Sequence, residues 1–316
     1  LYIQRVFIMD DASHFLPLYL RFVRGIIDTS DLPLNVSREI LQEHHLVDTI
    51  KKGVTKKILD SLVALKKDSF DKYKNFWKEY GLVLKEGTAE DFENKELIAS
   101  LLLFSSTYSE KDSPENTLDD YIARMTEDDN KIYYCVADTY QAAANSPHIE
   151  GLKSKGKEVL LLTDRIDEWL MTGLIEYKGK ELVNAAKEEI TEAEQKKVSE
   201  SDQDLVSKIK KHLDSKVSEV IVSSRLTDSA SCLVVPKNEP GAQLRRILEA
   251  SGQTMEASNP IFEINSKHKL LKKLKDLKGK QFNSFVDFLY DYAVIAEGGS
   301  PQDPSKYLRQ LDKYLS

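Results

Sequence analysis

The chain has few of the residues that most often carry self-contained chemistry. Among 316 residues there are two cysteines, six histidines and two tryptophans. Cys135 and Cys232 are far apart, and neither sits in a paired metal-ligand spacing, so a disulfide framework and a structural zinc site are both unexpected. Both lie in strand-like runs, where cysteine acts as a small apolar residue. A reducing, cytoplasmic setting is the expectation. The histidines at 14, 44, 45, 148, 212 and 268 fall in no HExxH or comparable spacing. His44 and His45 are adjacent, so on a helix they would point about 100° apart, which makes sharing a metal difficult. No metal centre is expected.

Motifs are missing as well. The sequence contains no GxGxxG, no GxxxxGK[ST] and no GxSxG, and so none of the phosphate cradles or the nucleophile elbow those spacings create. No apolar run approaches the roughly 18 to 20 residues of a membrane span; the longest lies around residues 101–104 (LLLF). A net charge of -7 argues against non-specific nucleic-acid binding. Neither nucleic acid nor a membrane is an expected partner. The opening LYIQRVFIMDD has no initiator Met and no charged start ahead of an apolar core. It reads as a strand already in progress, and the chain is expected to be part of something longer.

What is present is a soluble-type balance, 41% hydrophobic and 31% charged, at a length suited to about two domains. Residues 2–9 are strand-like and 15–27 read as a helix. A long helix follows, with Val47, Ile50, Val54, Ile58, Leu62 and Leu65 recurring at three- and four-residue steps. Further helix is expected over 70–80 and 90–104. After a polar hinge at 109–116, Thr117 and Asp120 have capping-box spacing. KIYYCVAD (131–138) and KEVLLLTD (157–164) read as strands, with Ser146-Pro147 starting a helix between them and Gly156 stopping it. Strand, helix, strand at this length predicts a parallel βαβ unit with a right-handed crossover.

Residues 185–204 are charged and apolar-poor, and the boundary between two domains is expected there, near 195. Beyond it, 205–212 is helical, and 218–226 with 231–236 suggest a hairpin. An amphipathic segment spans 242–250, with Leu244, Ile247 and Leu248 on one side. Two short helices close the chain. Their stripes carry Phe282, Phe285, Val286, Leu289 and Ala293, then Tyr307, Leu308, Leu311, Tyr314 and Leu315. A terminal hairpin this short buries its faces poorly alone. Docking on its own domain is one solution, and pairing with a second copy into a four-helix bundle is the favoured one.

Two features ask for a partner. Within SDLPLNVSREILQE (30–43), Arg38 falls in the first turn of a helix, where the dipole disfavours a cation. An anion from elsewhere is the natural counterpart of that guanidinium, although a surface ion pair remains open. Gln42 shares its helix face one turn on, and Asn35 precedes it. In DEWLMTGL (167–174), Trp169 and Met171 follow a strand at the end where α/β sheets usually place sites. A tryptophan tucked into the core is the competing reading.

These segments resemble the heat-shock protein 90 chaperone family, in its bacterial form. SDLPLNVSRE, FLPLYLRFVRGIIDTSDLPLNVSREILQ, FWKEYGLVLKEG, VLLLTDRIDEWL, SRLTDS and NPIFEINSKH all match, in order, across essentially the whole chain. The resemblance implies an α/β and α+β chain. A middle-domain fragment over 1–195 would hold a catalytic loop (30–43), a helical connector (about 44–110) and a small α/β subdomain (about 117–184). An α+β dimerisation domain, 196–316, would follow. It implies that Arg38 meets the γ-phosphate of ATP held by an N-terminal domain, supported by Gln42 and Asn35, with ATP and Mg2+ bound mainly outside this segment. Client contact is implied for Glu168, Trp169, Ile247 and Leu248, and the homodimer interface for Phe285, Leu289, Leu308 and Leu311. Partly folded proteins and other chaperones are the implied partners. Thr172 stands where close relatives carry an asparagine, so the resemblance does not carry that third client contact over, and Pro240 stands where they carry a methionine, which implies a shorter amphipathic helix. A non-enzymatic dimeric scaffold that binds one defined partner is the alternative.

Overall fold

The computed structural model describes residues 1–10, 13–32, 45–109, 111–187, 199–235 and 258–315. These fall into two compact units. The first comprises Leu1–Leu103, Glu115–Glu127 and Trp169–Gly179; the second comprises Phe104–Pro114, Asp128–Glu168 and Lys180–Ser316. The boundary expected near 195 lies outside the described residues.

In chain order the strands are β1 (Tyr2–Ile3), β2 (Val6–Phe7), β3 (Asp28–Thr29), β4 (Ser105–Ser106), β5 (Lys131–Val136), β6 (Val159–Leu162), β7 (Glu176–Tyr177), β8 (Lys180–Asn184), β9 (Glu219–Val222), β10 (Ser231–Val234) and β11 (Ile261–Ile264). The helices begin with α1 (His45–Asp68), α2 (Phe70–Glu90), α3 (Lys95–Leu101), α4 (Leu118–Arg124), α5 (Tyr140–Ala144) and α6 (Glu150–Ser154). They continue with α7 (Asp167–Gly173), α8 (Glu200–His212), α9 (Lys269–Asp276), α10 (Gly279–Ala296) and α11 (Pro304–Leu315). The mixed α/β and α+β character expected from the sequence is what the chain adopts.

In the first unit, the single strand expected over 2–9 is a tight hairpin. Gln4 and Arg5 turn at φ 50° and 67°, and β1 pairs antiparallel with β2 and parallel with β3. The helix expected over 15–27 is also not formed. Two single 3-10 turns, Ser13–Phe15 and Leu18–Leu20, take its place, because Pro17 is extended at ψ 157° and interrupts the ladder between them. Helix α1 runs where its stripe predicted, with its buried line through Val47, Thr55, Leu59 and Leu62. Helix α2 continues ten residues past its expected end to Glu90. Gly87 lets the Tyr19 ring pack on it, since a Cβ there would meet that ring at 2.7 Å. The Tyr19 hydroxyl donates to Asp91 at 2.7 Å, and Arg21 pairs with Glu86 at 2.5 and 2.7 Å. Helix α3 is shorter than the 90–104 expected. The Thr117–Asp120 capping box of α4 forms in both directions, at 3.0 and 2.9 Å.

In the second unit β4, β6, β5 and β8 lie side by side in that order. Strands β5 and β6 are parallel, with Tyr133 opposite Val159 and Val136 opposite Leu162, as the βαβ pattern predicted. Ser146 caps the turn at Pro147–Ile149, and Gly156 takes φ +69° at the stop. The hairpin expected from 218–226 and 231–236 does not form. Strand β11 sits between its halves, parallel to β9 and antiparallel to β10. The apolar alternation of IFEI, with Phe262 and Ile264 buried, fills the central position that a simple hairpin would leave to β10. Helices α8 to α11 pack over this sheet around Phe262, Phe285, Val286 and Leu289. Both cysteines are buried, and burial pushes the Cys135 thiol up to about 12.

Candidate functional site

Arg38, Asn35 and Gln42 lie outside the described residues, as do Ile247, Leu248 and Pro240. The chain on either side of the 33–44 stretch is described. Leu32, immediately before it, and Val47, just after it, are buried in one apolar cluster with Leu1, Ile3, Met9 and Phe15.

Helix α7 builds the second candidate site. Its start is set by a turn after β6, in which the Asp164 amide donates to the Asp167 carboxylate at 2.9 Å and the Asp167 amide to the Asp164 carbonyl at 2.9 Å. Leu170, Met171 and Leu174 are buried. Gly173 lies against Thr88 and Ala89 at the end of α2. With that face committed to the core, Trp169 is left outward and 59% exposed. The core reading of Trp169 is therefore excluded, and the Met171 contact predicted alongside it is internal. Glu168 faces Tyr134, whose hydroxyl burial pushes up to about 12, with the Glu168 carboxylate adding to the rise. Thr172 Oγ1 donates to the Trp169 carbonyl at 2.7 Å. In the first unit Phe92 and Ile175 are also strongly exposed; both were missed in the sequence, because a lone apolar residue beside a turn leaves no periodic signal.

A third arrangement joins the small α/β sheet to the C-terminal sheet within the second unit. The Glu150 carboxylate, in the first turn of α6, accepts from the amides of Thr227, Asp228 and Ser229 at 2.7, 2.9 and 3.1 Å. The Ser229 hydroxyl donates to it at 2.5 Å. Three successive amides turned toward one carboxylate form an anion nest, here filled by the protein itself. Arg225 beside it donates to the Ala185 carbonyl at 2.9 Å and pairs through two nitrogens with Glu263, which is 1% exposed. His148 Nε2 lies 2.7 Å from Glu297. This joint was invisible in the sequence, although SRLTDS contains its loop.

The family model described as Hsp90 protein matches residues 1–316. The chain belongs to the Hsp90 family. A protein named Chaperone protein HtpG from Shewanella sp. (strain MR-7) is 47% identical over 325 residues, covering all of this chain and 51% of the relative. One of the same name from Legionella pneumophila (strain Lens) is 45% identical over 322 residues, covering all of this chain and 52% of the relative. The chain thus spans about half the length of the curated relatives it matches. As an Hsp90 segment it holds no nucleotide-binding motif in its sequence, and among the described residues no cluster of His, Cys, Asp or Glu could hold a metal ion. Among them, too, no helix is long and apolar enough to cross a membrane.

The terminal hairpin of this Hsp90 segment places its four expected interface residues differently. Phe285 and Leu289 are fully buried in their own domain, where Phe285 meets Tyr314 edge-on at 4.6 Å. Leu311 is half-buried against the same core, and Leu308 is 58% exposed. The hairpin is closed by Gln310 donating to the Ser284 carbonyl at 2.9 Å and by Lys306 pairing with Asp287 at 3.2 Å. His212 Nε2 lies 2.9 Å from the same aspartate. Burial alone would raise the Asp287 carboxyl, but the bonds from His212 and Lys306 outweigh it and hold it below its ordinary 3.8. A carboxyl depressed in the folded state adds stability above its unfolded value, and that stability is lost as pH falls through the folded value. Asp287→Asn is therefore expected to lower stability at pH 6 and to change it little near pH 2. Urea unfolding at the two pH values checks this; equal losses at both would remove the charge argument.

Proposed function

We propose that this chain is the client-holding, dimerising and ATPase-completing part of an ATP-dependent Hsp90-type chaperone acting on partly folded proteins. The observation that carries the proposal is Trp169, left 59% exposed on a short helix whose other apolar residues are buried. A large amphipathic ring held rigidly at the surface binds varied apolar segments at low entropic cost. Glu168 beside it and the amphipathic segment with Ile247 and Leu248 would extend the holding surface.

Arg38 would complete the nucleotide site. With ATP and Mg2+ held by the remainder of the full-length protein, its guanidinium would face the γ-phosphate, Gln42 would orient it, and Asn35 would shape the loop. The bound nucleotide supplies the energy-releasing phosphoryl chemistry. This chain's share is to place one fixed positive charge opposite it. The segment alone is expected to turn over ATP negligibly. A cytoplasmic setting agrees with both cysteines being buried thiols.

Aggregation of a thermally unfolding reporter enzyme tests the holding role. The chain is expected to suppress it, and Trp169→Ala to need several-fold more protein for the same effect, with unchanged circular dichroism. Equal suppression by the variant would remove Trp169 from the role. Dimerisation is expected through the outer face of α10 and α11, where Leu308 and Ile295 are exposed. Light scattering at micromolar concentration should give twice the 36.0 kDa chain mass, and Leu308→Asp should shift it toward monomer. A monomer mass for the unaltered chain would contradict the dimer.

A further inference from the structure

Helix α8, the end of α9 and the start of α10 enclose an open groove of about 700 Å³ in the second unit. Its floor is apolar: Leu205 is buried, and Leu277 and Phe282 are half-buried with one side facing the groove. Its rim is basic. Lys208, Lys211 and Lys278 are exposed along it, and among the described residues none of the three has an ion-pair partner. The fourth rim lysine, Lys275, is already paired with Asp202 at 2.7 Å. Asp204 is the one acidic residue among the described residues lining the groove. Leu205, Lys208 and His212 recur at three- and four-residue steps, so one face of α8 forms the long wall.

A cationic rim over an apolar floor is the complement of an amphipathic segment with an acidic border. The volume is that of a ligand-sized cleft, and the lining runs along most of the thirteen residues of α8, about 20 Å. That length suits roughly three turns of a helix laid in a groove with its apolar residues downward. The chain as a whole carries a charge of -7, so its net field does not attract an acidic segment, and the local concentration of these unpaired lysines is what would draw one. We infer that the groove between α8 and the α9–α10 junction is a docking site for an acidic amphipathic helical segment of a partner protein. Leu205, Leu277 and Phe282 take its apolar anchors, and Lys208, Lys211 and Lys278 meet its carboxylates. The inference is separate from the nucleotide and client roles proposed above, and its test measures neither.

The probe is a fluorescein-labelled peptide of about fourteen residues, glutamate-rich, with leucine and phenylalanine at helical i, i+3, i+4 and i+7 positions. Fluorescence anisotropy against the whole chain is expected to give saturable binding. K208E/K211E, which alters two exposed residues and should keep the fold by circular dichroism, is expected to weaken binding at least tenfold. Raising salt from about 50 to about 300 mM should weaken the unaltered complex several-fold and the variant little. Absence of saturable binding to the unaltered chain, or equal binding by the variant, would overturn the inference. Equal binding of a peptide with lysine in place of glutamate would do the same. Full competition by millimolar inorganic phosphate would reassign the rim to simple anions. Loss of dimer mass in K208E/K211E would reassign the groove to a second copy of the chain. Either result removes the peptide site.

Discussion

Replacing Arg38 by alanine in the full-length protein is expected to lower ATP turnover by about a thousandfold, with nucleotide affinity and dimer mass nearly unchanged. The size follows from what a positioned arginine contributes to phosphoryl transfer, on the order of 10³-fold or more, because its charge matters most as the transferring group develops charge. Affinity should change little, since an interaction strongest in the transition state affects kcat more than ground-state binding. Arg38→Lys should recover only part of the loss: a lysine keeps the charge and loses the planar fork. Gln42→Ala, four residues on, should cost less, since its proposed part is only to orient the guanidinium. Steady-state turnover together with a separate nucleotide-binding titration checks this. Turnover within twofold of the unaltered protein would leave Arg38 structural. Leu32 and Val47, on either side of the segment, are buried in one apolar cluster.

The largest effect on stability is expected at Arg225. Its partner Glu263 is 1% exposed, and its two carboxylate oxygens are held by Arg225 and Ser223. Removing the guanidinium leaves a buried carboxylate uncompensated, which typically costs 3–5 kcal/mol. It also leaves the Ala185 carbonyl without the 2.9 Å bond from Arg225. Arg225→Ala is therefore expected to destabilise the second unit by about 3–5 kcal/mol. Combining it with Glu263→Gln should restore a substantial part, because the cost is the orphaned charge rather than the lost pair itself. Urea unfolding followed through Tyr fluorescence or circular dichroism measures both. A loss under about 1 kcal/mol for the single variant would show that the carboxylate is protonated or hydrated instead. Arg225 also joins the small sheet to the C-terminal sheet. The variant should therefore loosen that joint, raising amide exchange in 185–187 and 223–229 before the rest of the unit.

Much of the architecture could be read from periodicity and punctuation. The capping box at Thr117, the proline start at 147 and the parallel β5–β6 pair all follow from local spacing, which a short window contains. The failures have a common cause. The hairpin expected from 218–226 and 231–236 was misassigned because β11, some thirty residues later, inserts between the two strands, and sequence neighbours carry no record of a non-local partner. The strand over 2–9 broke at Gln4 and Arg5, residues with no turn signature, where tertiary pairing with β3 set the register. The helix suggested over 15–27 is interrupted by Pro17, a local breaker that the apolar spacing around it does not reveal. At the candidate sites, residue type pointed to Trp169, whereas its exposure depended on Leu170, Met171 and Leu174 filling the core. The Glu150 nest and the Arg225–Glu263 pair were not legible, because each links residues forty to eighty positions apart. The stripes at the end of the chain were legible as helix, and burial of Phe285 and Leu289 in their own domain depends on non-local packing that the stripes do not record.

The central claim is that this Hsp90 segment holds diverse partly folded proteins through a surface that includes Trp169. The most direct measurement is light scattering of several unrelated proteins aggregating on heating, with the chain added at increasing ratios. The account predicts suppression of all of them at near-stoichiometric dimer, weakened in parallel by Trp169→Ala. Suppression of one protein alone, with the rest aggregating as they do without the chain, would contradict it and favour a scaffold dedicated to a single partner.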